Sequence, residues 1–353
     1  MKIVFRVDAS AAIGTGHLVR CLALADSLGA RGIDVAFVCK ALPENARLII
    51  GDRHAIHMIE NANVDIEQDA RHTIRVIENL SRMRTSAVDW LVVDHYQIAE
   101  AWESAVAPRV RRLMVIDDLA NRRHECDLIL DQNFYQNTDH RYDALVPARC
   151  IKALGPVYAL LRREFYEQLA ERRVRDGSLH RILVAFGGSD PTNETAKVLR
   201  ALSSEAFADV VIDVIIGPVN PYAESLRQQF AADRRVVLHE RPPEIAKLMN
   251  IADLAIGAGG TMTWERCCMG LPAVVIVTAQ NQAETADAMH RTGAIINLGS
   301  CIQVREERIS ATIARLARDP LELRALGERS FAVMAPDGVV PTDIKVLNFL
   351  VGS

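Results

Sequence analysis

The sequence has no excess of positive charge, no CxxC cysteine pair and no long apolar run. Its formal net charge of −4 argues against a nucleic-acid binder, because such proteins are normally basic. No apolar run approaches the ~20 residues that a membrane-spanning helix needs. Met1-Lys2 leads directly into an apolar strand rather than into a signal-peptide pattern. We therefore expect a cytoplasmic protein with no membrane insertion and no nucleic-acid partner.

The cysteine pattern excludes the common zinc sites. The chain has seven cysteines, an odd number, and a zinc site would need Cys and His ligands clustered at short spacing. Cys21 and Cys39 lie within apolar patterns, where a free thiol behaves as a small hydrophobic side chain. The sequence thus predicts structural thiols, no metal ion and no cofactor.

Length and periodicity indicate two α/β domains. The 353 residues exceed the size at which a single core usually stops growing, and 50% hydrophobic with 24% charged residues is typical of a globular protein. Apolar runs alternate with helical patterns in both halves, which predicts parallel sheets covered by helices. The predicted strands are 3–7, 35–39, 55–59, 90–93, 113–116 and 128–130, then 182–186, 211–216, 236–238, 254–256, 273–277 and 294–296.

The domain boundaries follow from the segments between these strands. We predict an N-terminal domain over residues 1–155, a connecting segment over 156–180 and a C-terminal domain over 181–353. Residues 134–154 are expected to be a loop. Predicted helices include 65–84, 159–174, 191–202 and a final helix over 341–350, which is expected to cross back onto the first domain.

The N-terminal stretch IVFRVDASAAIGTGHLVR, residues 3–20, contains the first candidate site. A strand, a loop with Gly14 and Gly16, and a helix starting close to His17 together make an anion site, because backbone N–H groups point out of a helix start. The helix dipole disfavours a charged imidazole at that end, so His17 is a candidate base. The alternative is that His17 only caps the helix.

A second glycine-rich segment, AIGAGGTMTWERCCMGLPAVVIV, spans residues 255–277. Gly259 and Gly260 allow close backbone approach to a ligand, and Thr261 is a candidate cap for the following helix. Glu265 has the chemistry to accept hydrogen bonds from ribose hydroxyls, although an ordinary first-turn Glu is an equal alternative. The amides of Asn281 and Gln282 follow the next strand.

These motifs resemble a known family. GTGH, GGSD and GAGGTMTWE…GLP…NQ look like nucleotide-sugar enzymes of the GT-B fold, with two Rossmann-like domains facing a central cleft. The motifs VVDHY, CDLILDQN and YALLRREF resemble one branch, the UDP-2,4-diacetamido-2,4,6-trideoxy-β-L-altropyranose hydrolases of pseudaminic acid biosynthesis. This branch implies a place in cell-surface polysaccharide synthesis and flagellin glycosylation.

The resemblance implies a role for individual residues. His17 matches the catalytic base, and Tyr96 and Arg162 match residues that line the sugar and phosphate part of the pocket. The other residues expected to bind substrate are Asp8, Gly16, Asp94, Gly187, Gly188, Gly259, Gly260, Thr261, Glu265, Asn281 and Gln282. Trp264 departs from the smaller polar residue expected beside the ribose. Either Asp8 or Asp94 is expected to orient His17.

The implied reaction is metal-independent hydrolysis at the anomeric carbon of a UDP-sugar, with inversion and release of UDP. Two alternatives remain from the sequence: a UDP-sugar-dependent GT-B glycosyltransferase and a non-catalytic nucleotide-sugar-binding protein. The partner is expected to be the small-molecule UDP-sugar, and the protein is expected to be a monomer.

Overall fold

The computed structural model describes residues 1–9, 15–40, 42, 47, 50–59, 65–84, 87–240, 242, 244–339 and 342–352. The chain forms two α/β units. Unit 1 comprises Met1–Arg162 and Ile344–Ser353, and unit 2 comprises Arg163–Asp343.

Unit 1 contains one parallel sheet of seven strands in the order β3-β2-β1-β4-β5-β6-β7. The strands are β1 (Lys2–Val7), β2 (Asp34–Cys39), β3 (Ala55–Met58), β4 (Val88–Asp94), β5 (Val110–Ile116), β6 (Leu128–Asp131) and β7 (Ile151–Leu154). Its described α-helices are α1 (Gly16–Gly29), α2 (Ile66–Arg84), α3 (Glu100–Val106) and the C-terminal Leu347–Val351. Short 3₁₀ helices lie at Ala107–Arg109 and Pro156–Tyr158.

Unit 2 contains a parallel sheet of six strands in the order β10-β9-β8-β11-β12-β13. The strands are β8 (Arg181–Ala185), β9 (Val211–Ile216), β10 (Val236–Glu240), β11 (Leu254–Ala258), β12 (Ala273–Val277) and β13 (Ile296–Ser300). Its helices are α4 (Arg163–Gln168), α5 (Glu194–Ala201), α6 (Ala223–Phe230), α7 (Ile245–Ile251), α8 (Met262–Cys268), α9 (Ala283–Arg291), α10 (Glu306–Arg318) and α11 (Pro320–Met334), so Leu347–Val351 is α12. Leu169–Glu171, Glu205–Phe207 and Gln280–Gln282 are 3₁₀ helices.

The central strands carry the cores of both units. All six side chains of β1 and all five of β11 and β12 are buried, as expected for parallel strands whose two faces are both covered by helices. The mainly apolar sequences of these strands therefore allowed their prediction from the sequence. Edge strands differ, since β3 and β10 have no buried side chain and less regular patterns.

Several sequence predictions were wrong in placement. The strand predicted at 294–296 shares only Ile296 with β13. Strand β7 forms within the predicted loop at 134–154, where it escaped prediction because its sequence IKAL, with two exposed residues, is not an apolar run. The predicted helix 159–174 shortens to α4 and the 3₁₀ turn Leu169–Glu171. Helix α5 begins at Glu194 rather than at Pro191, because Asn193 adopts a left-handed conformation with φ of 55° immediately before it.

The end of the predicted connecting segment is fixed to unit 2 by Arg175. This buried guanidinium donates to five carbonyl oxygens at the ends of α7 and α8, those of Met249, Asn250, Ala252, Met269 and Gly270, at 2.7–3.3 Å. Carbonyls in the last turn of a helix lack intrahelical partners and favour positive charge. Burial lowers the pKa of Arg175 to about 9. Residues 172–175 are therefore a structural part of unit 2 rather than a free linker.

The chain returns to unit 1 at its C-terminal end. The predicted final helix at 341–350 is too long: α12 begins at Leu347 and ends at Val351, residues 342–346 are not helical, and residue 341 is outside the described residues. Its predicted return to the first domain is confirmed, because residues 344–353 belong to unit 1. The indole Nε1 of Trp90, on β4, donates to the carbonyl oxygen of Leu350 at 3.1 Å. The rings of Tyr158 and Phe349 lie 6.2 Å apart. Among the described helices, none combines the length and the apolar character required to cross a membrane.

We expect Arg175→Ala to lower the free energy of unfolding of unit 2 by about 2–4 kcal/mol, because it leaves buried carbonyl oxygens without a donor. Urea unfolding followed by circular dichroism measures the change. The matched control is Arg163→Ala, which removes an exposed side chain paired with Glu167 and should change stability by less than about 0.5 kcal/mol. Equal effects of the two substitutions would contradict the assigned role of Arg175.

Candidate active site

The candidate site residues lie where the strand order of each sheet reverses. Both sheets run outward in two directions from their first strand, so the reversal lies between β1 and β4 in unit 1 and between β8 and β11 in unit 2. Loops at the carboxyl ends of such neighbouring strands diverge to opposite faces and leave a crevice for ligands. His17, at the start of α1, and Asp94, the last residue of β4, flank the first reversal. The two predicted glycine loops flank the second.

His17 is held by the end of β4. It lies in the first turn of α1, 6% exposed, and its Nδ1 contacts Oδ1 of Asp94, which is 1% exposed. An ionised carboxylate can only accept a hydrogen bond, so the ring nitrogen that contacts Asp94 must be the donor. We therefore assign the hydrogen to Nδ1. Nε2 is then the ring nitrogen that can accept a proton. Of the two carboxylates predicted to orient His17, the structure brings Asp94 to it.

Asp94 is itself bound by Arg20, one turn after His17 on α1. Arg20 donates through Nε to Oδ2 at 2.6 Å and through Nη2 to Oδ1 at 2.7 Å, a bidentate pair. Its Nη1 also donates to Oδ2 of Asp118, after β5, at 3.0 Å. Burial alone would raise the pKa of Asp94, but the charge of Arg20, followed by that of His17, holds this pKa well below its usual range. Asp94 is therefore a carboxylate throughout the neutral range.

Asp8 orients a different histidine, His95, which the sequence reasoning missed. Asp8 Oδ2 lies 3.2 Å from His95 Nε2, and Asp8 also accepts from Arg6 at 2.9 Å and from the backbone N–H of Lys40 at 2.6 Å. Arg6 in turn contacts Asp69 of α2 at 2.5 Å. A second chain of histidine, carboxylate, arginine and carboxylate thus runs beside the first. The sequence signal for His95 was its position in the motif VVDHY, directly after Asp94.

One pocket of unit 1 brings these groups together. It encloses about 180 Å³ and is lined by Asp8, His17, Asp94, His95, Tyr96 and Gln97. The Tyr96 ring meets the His17 ring edge to face, with centroids 4.5 Å apart and an interplanar angle of 86°. Whole-ligand pockets usually enclose roughly 300–1,000 Å³. The volume suits a water molecule and part of a sugar rather than a complete UDP-sugar.

Asp117 belongs to a neighbouring polar cluster rather than to the His17 group. Its carboxylate forms an ion pair with Arg122, whose Nη1 lies 2.8 Å from Oδ1, and it accepts from the hydroxyl of Tyr142 at 3.0 Å. The same hydroxyl lies equally close to Asp131. Burial raises the pKa of Asp131 to about 7, although the N–H of Asn133 opposes this shift. The strand ends at this edge of the sheet therefore carry two separate acidic groups, one around Asp94 and one around Asp117.

The first glycine loop of unit 2, at Gly187 and Gly188, is shaped by a third glycine. A Cβ on Gly217 would stand 2.2 Å from the carbonyl oxygen of Gly187 and 2.3 Å from that of Gly188, so no side chain fits there. The backbone N–H groups of Glu194 and Thr195 are already bonded to Asp190 at 2.9 and 3.0 Å. The start of α5 is thus capped internally by Asp190, and these two N–H groups are already bonded.

The second glycine loop is closed by Gln282. The Oε1 of this side chain accepts from the backbone N–H of Gly259 at 3.2 Å and of Thr278 at 3.1 Å. Thr261 precedes α8 without a side-chain capping hydrogen bond, contrary to prediction. Trp264 is 1% exposed in the core, which explains its departure from a small polar residue. Glu265 is buried in the first turn of α8, at 4% exposure.

The remaining predicted residues lie in separate elements of the two units. Gly16 starts α1, while Gly14 lies outside the described residues. Arg162 is half-buried and ends the first segment of unit 1, and Asn281 is exposed in a 3₁₀ turn of unit 2. Within the described part of the chain, no group of three or more His, Cys, Asp or Glu side chains has an arrangement that holds a metal ion.

Comparison with known proteins relates this architecture to sugar-nucleotide enzymes. Residues 182–339 match the glycosyltransferase family 28 C-terminal domain. The chain is 26% identical over 293 residues to the UDP-2,4-diacetamido-2,4,6-trideoxy-β-L-altropyranose hydrolase of Campylobacter jejuni, covering 83% of this chain and 97% of that protein. It is 31% identical over 177 residues to the spore coat polysaccharide biosynthesis protein SpsG of Bacillus subtilis, covering 48% of this chain and 50% of that one.

The fold is also that of a solved structure. MurG of Acinetobacter baumannii superimposes with a TM-score of 0.63 at 16% identity, covering 99% of both chains. The chain therefore has the GT-B fold of two Rossmann-like parallel sheets, and its predicted resemblance to the UDP-2,4-diacetamido-2,4,6-trideoxy-β-L-altropyranose hydrolases is confirmed.

Proposed function

We propose that this protein is a hydrolase that cleaves UDP-2,4-diacetamido-2,4,6-trideoxy-β-L-altropyranose into UDP and the free sugar, in the cytoplasmic pathway to pseudaminic acid that supplies cell-surface and flagellin glycans. The observation that carries the proposal is the buried His17–Asp94 pair at the strand-order reversal of unit 1. Its support from sequence is the 26% identity to a hydrolase of that substrate over 83% of the chain.

His17 activates water in this scheme. With Nδ1 bound to Asp94, Nε2 takes a proton from a water molecule as the water oxygen bonds to the anomeric carbon. The bond from that carbon to the β-phosphate oxygen breaks and UDP leaves with the electron pair. Attack opposite the leaving group inverts the anomeric centre, and the proton passes from His17 to solvent. The oriented base contributes roughly 10²–10⁴-fold to the rate.

UDP departs as an anion, because its terminal phosphate has a second pKa of roughly 6. We assign UDP binding to the two glycine loops and Glu265 of unit 2. Since Asp190 caps α5 and α8 has only seven residues, loop backbone groups rather than helix dipoles make the phosphate contacts in this assignment. Arg162 and Tyr96 are assigned to the sugar and its phosphate. No metal ion takes part in the scheme.

The competing function is glycosyl transfer, in which a sugar hydroxyl replaces water. Pure protein incubated with UDP-2,4-diacetamido-2,4,6-trideoxy-β-L-altropyranose, without acceptor and with a chelator, separates the candidates. Stoichiometric release of UDP and free sugar is expected. UDP release only after addition of an acceptor would indicate a transferase, and UDP binding without turnover would indicate a binding protein.

We expect His17→Asn to lower kcat by ~10²-fold or more while UDP affinity stays nearly unchanged, because asparagine keeps a polar group of similar size but cannot act as the base. Steady-state kinetics and calorimetric UDP titration measure the two effects. Full turnover in this variant, or loss of UDP binding, would show that His17 only caps α1.

Glu265→Ala is expected to show the reverse pattern. It should weaken UDP binding by about 1–3 kcal/mol through loss of charge-assisted hydrogen bonds to the ribose, with little effect on kcat at saturating substrate. Because Glu265 is buried, Glu265→Gln, which keeps the volume, separates lost charge from lost packing. If both variants bind UDP as tightly as the unmodified protein, the ribose lies elsewhere.

A further inference from the structure

A carboxylate that orients a histidine base also affects how readily the ring is protonated. A buried carboxylate beside an imidazole stabilises the protonated ring, and the protonated ring cannot accept a proton from water. His17 and Asp94 are both buried, so solvent does little to screen charges near them. A positive charge beside such a pair opposes the effect of the carboxylate and favours the neutral ring.

Arg20 supplies a positive charge at the required place. Its Nη2 lies 2.7 Å from Asp94 Oδ1 and 3.3 Å from His17 Nδ1, so the guanidinium contacts the ring and its carboxylate together. Although burial opposes ionisation, Asp94 raises the pKa of Arg20 well above its usual value, which keeps the guanidinium charged.

Asp118 limits the effect of Arg20. Its Oδ2 accepts from Arg20 Nη1 at 3.0 Å, while its buried Oδ1 has no hydrogen-bond partner among the described residues. The other groups that face His17 are Tyr96 from the loop after β4 and, in the same pocket, Asp8 after β1 and His95. Cys21 donates to Asp94 Oδ2 at 3.5 Å without a charge of its own.

We propose that Arg20 and Asp118 are positioning residues that set the proton affinity of His17 through Asp94, with Arg20 lowering it and Asp118 partly restoring it. Without Arg20 the ring contacts the carboxylate of Asp94 with no positive charge to offset it, and it takes up a proton at higher pH. Without Asp118 the guanidinium is less neutralised and the ring takes up its proton at lower pH. The inference rests on the proposed function for its catalytic meaning, but the charge coupling itself does not require turnover.

The test is an NMR titration of the protein with labelled histidine, in which the His17 ring is assigned by its loss in His17→Asn. Arg20→Gln should move the titration midpoint of His17 to higher pH by roughly one unit or more, and Asp118→Asn should move it to lower pH. Arg20→Lys, which keeps the charge, should lie between the unmodified protein and Arg20→Gln. The acid limb of the pH–rate profile should move in the same directions.

Arg122→Gln is the control for loss of a nearby positive charge, because the guanidinium of Arg122 pairs with Asp117 and meets the loop after β4 through the backbone oxygens of His95 and Ile98. It should leave the His17 midpoint unchanged. Midpoints that do not move, or move in one direction for both Arg20→Gln and Asp118→Asn, overturn the inference. If Arg20→Gln fails to fold, Asp118→Asn decides alone, since it leaves Arg20 and both of its bonds to Asp94 in place. Shifted midpoints in a protein that releases no UDP would instead refute the proposed function.

Discussion

The bidentate bond between Arg20 and Asp94 is the interaction on which the candidate site depends. It joins α1 to the end of β4 inside the apolar core of unit 1, where neither charge is tolerated without the other. Because Arg20 and His17 lie one turn apart on the same helix, fixing the guanidinium also fixes the imidazole. A parallel sheet provides the geometry, since only neighbouring strand ends bring β1 and β4 loops together.

The same solution occurs twice in unit 1. Arg6 joins Asp8 to Asp69 much as Arg20 joins Asp94 to Asp118, and each central carboxylate faces a histidine of the pocket. In both chains a buried arginine is shared between two carboxylates, which gives each chain a net negative charge before its histidine is counted. Trp102 also donates to Asp69, so the second chain is connected to α3. Each of the two imidazoles is thus held by a carboxylate that is itself bound by a buried arginine.

Much of the fold followed from the sequence because the central strands are buried on both faces and read as apolar runs. The sequence named His17, Asp94 and Tyr96 as site residues, and all three line one pocket of unit 1. Which side chains bind one another could not be predicted from the sequence. Whether Asp8 or Asp94 reaches His17 depends on side-chain directions, and the role of Arg20 depends on a contact between residues 74 positions apart. Strand β7 was not predicted because it is an edge strand with two exposed residues and no apolar run. The start of α5 was misplaced because the left-handed conformation of Asn193 leaves no signal in the apolar periodicity.

The last helix has a consequence for the order of folding. Unit 1 is completed by α12, whose Leu350 carbonyl receives the indole hydrogen of Trp90 from the middle of the chain's first sheet. Domains usually fold in turn as they leave the ribosome, the N-terminal one first. Here residues 344–353 of unit 1 follow unit 2 in the sequence, so unit 2 has its whole sequence available before unit 1 does. A chain interrupted after Asp343 would therefore hold all of unit 2, while unit 1, which holds His17, would lack the segment that contains α12.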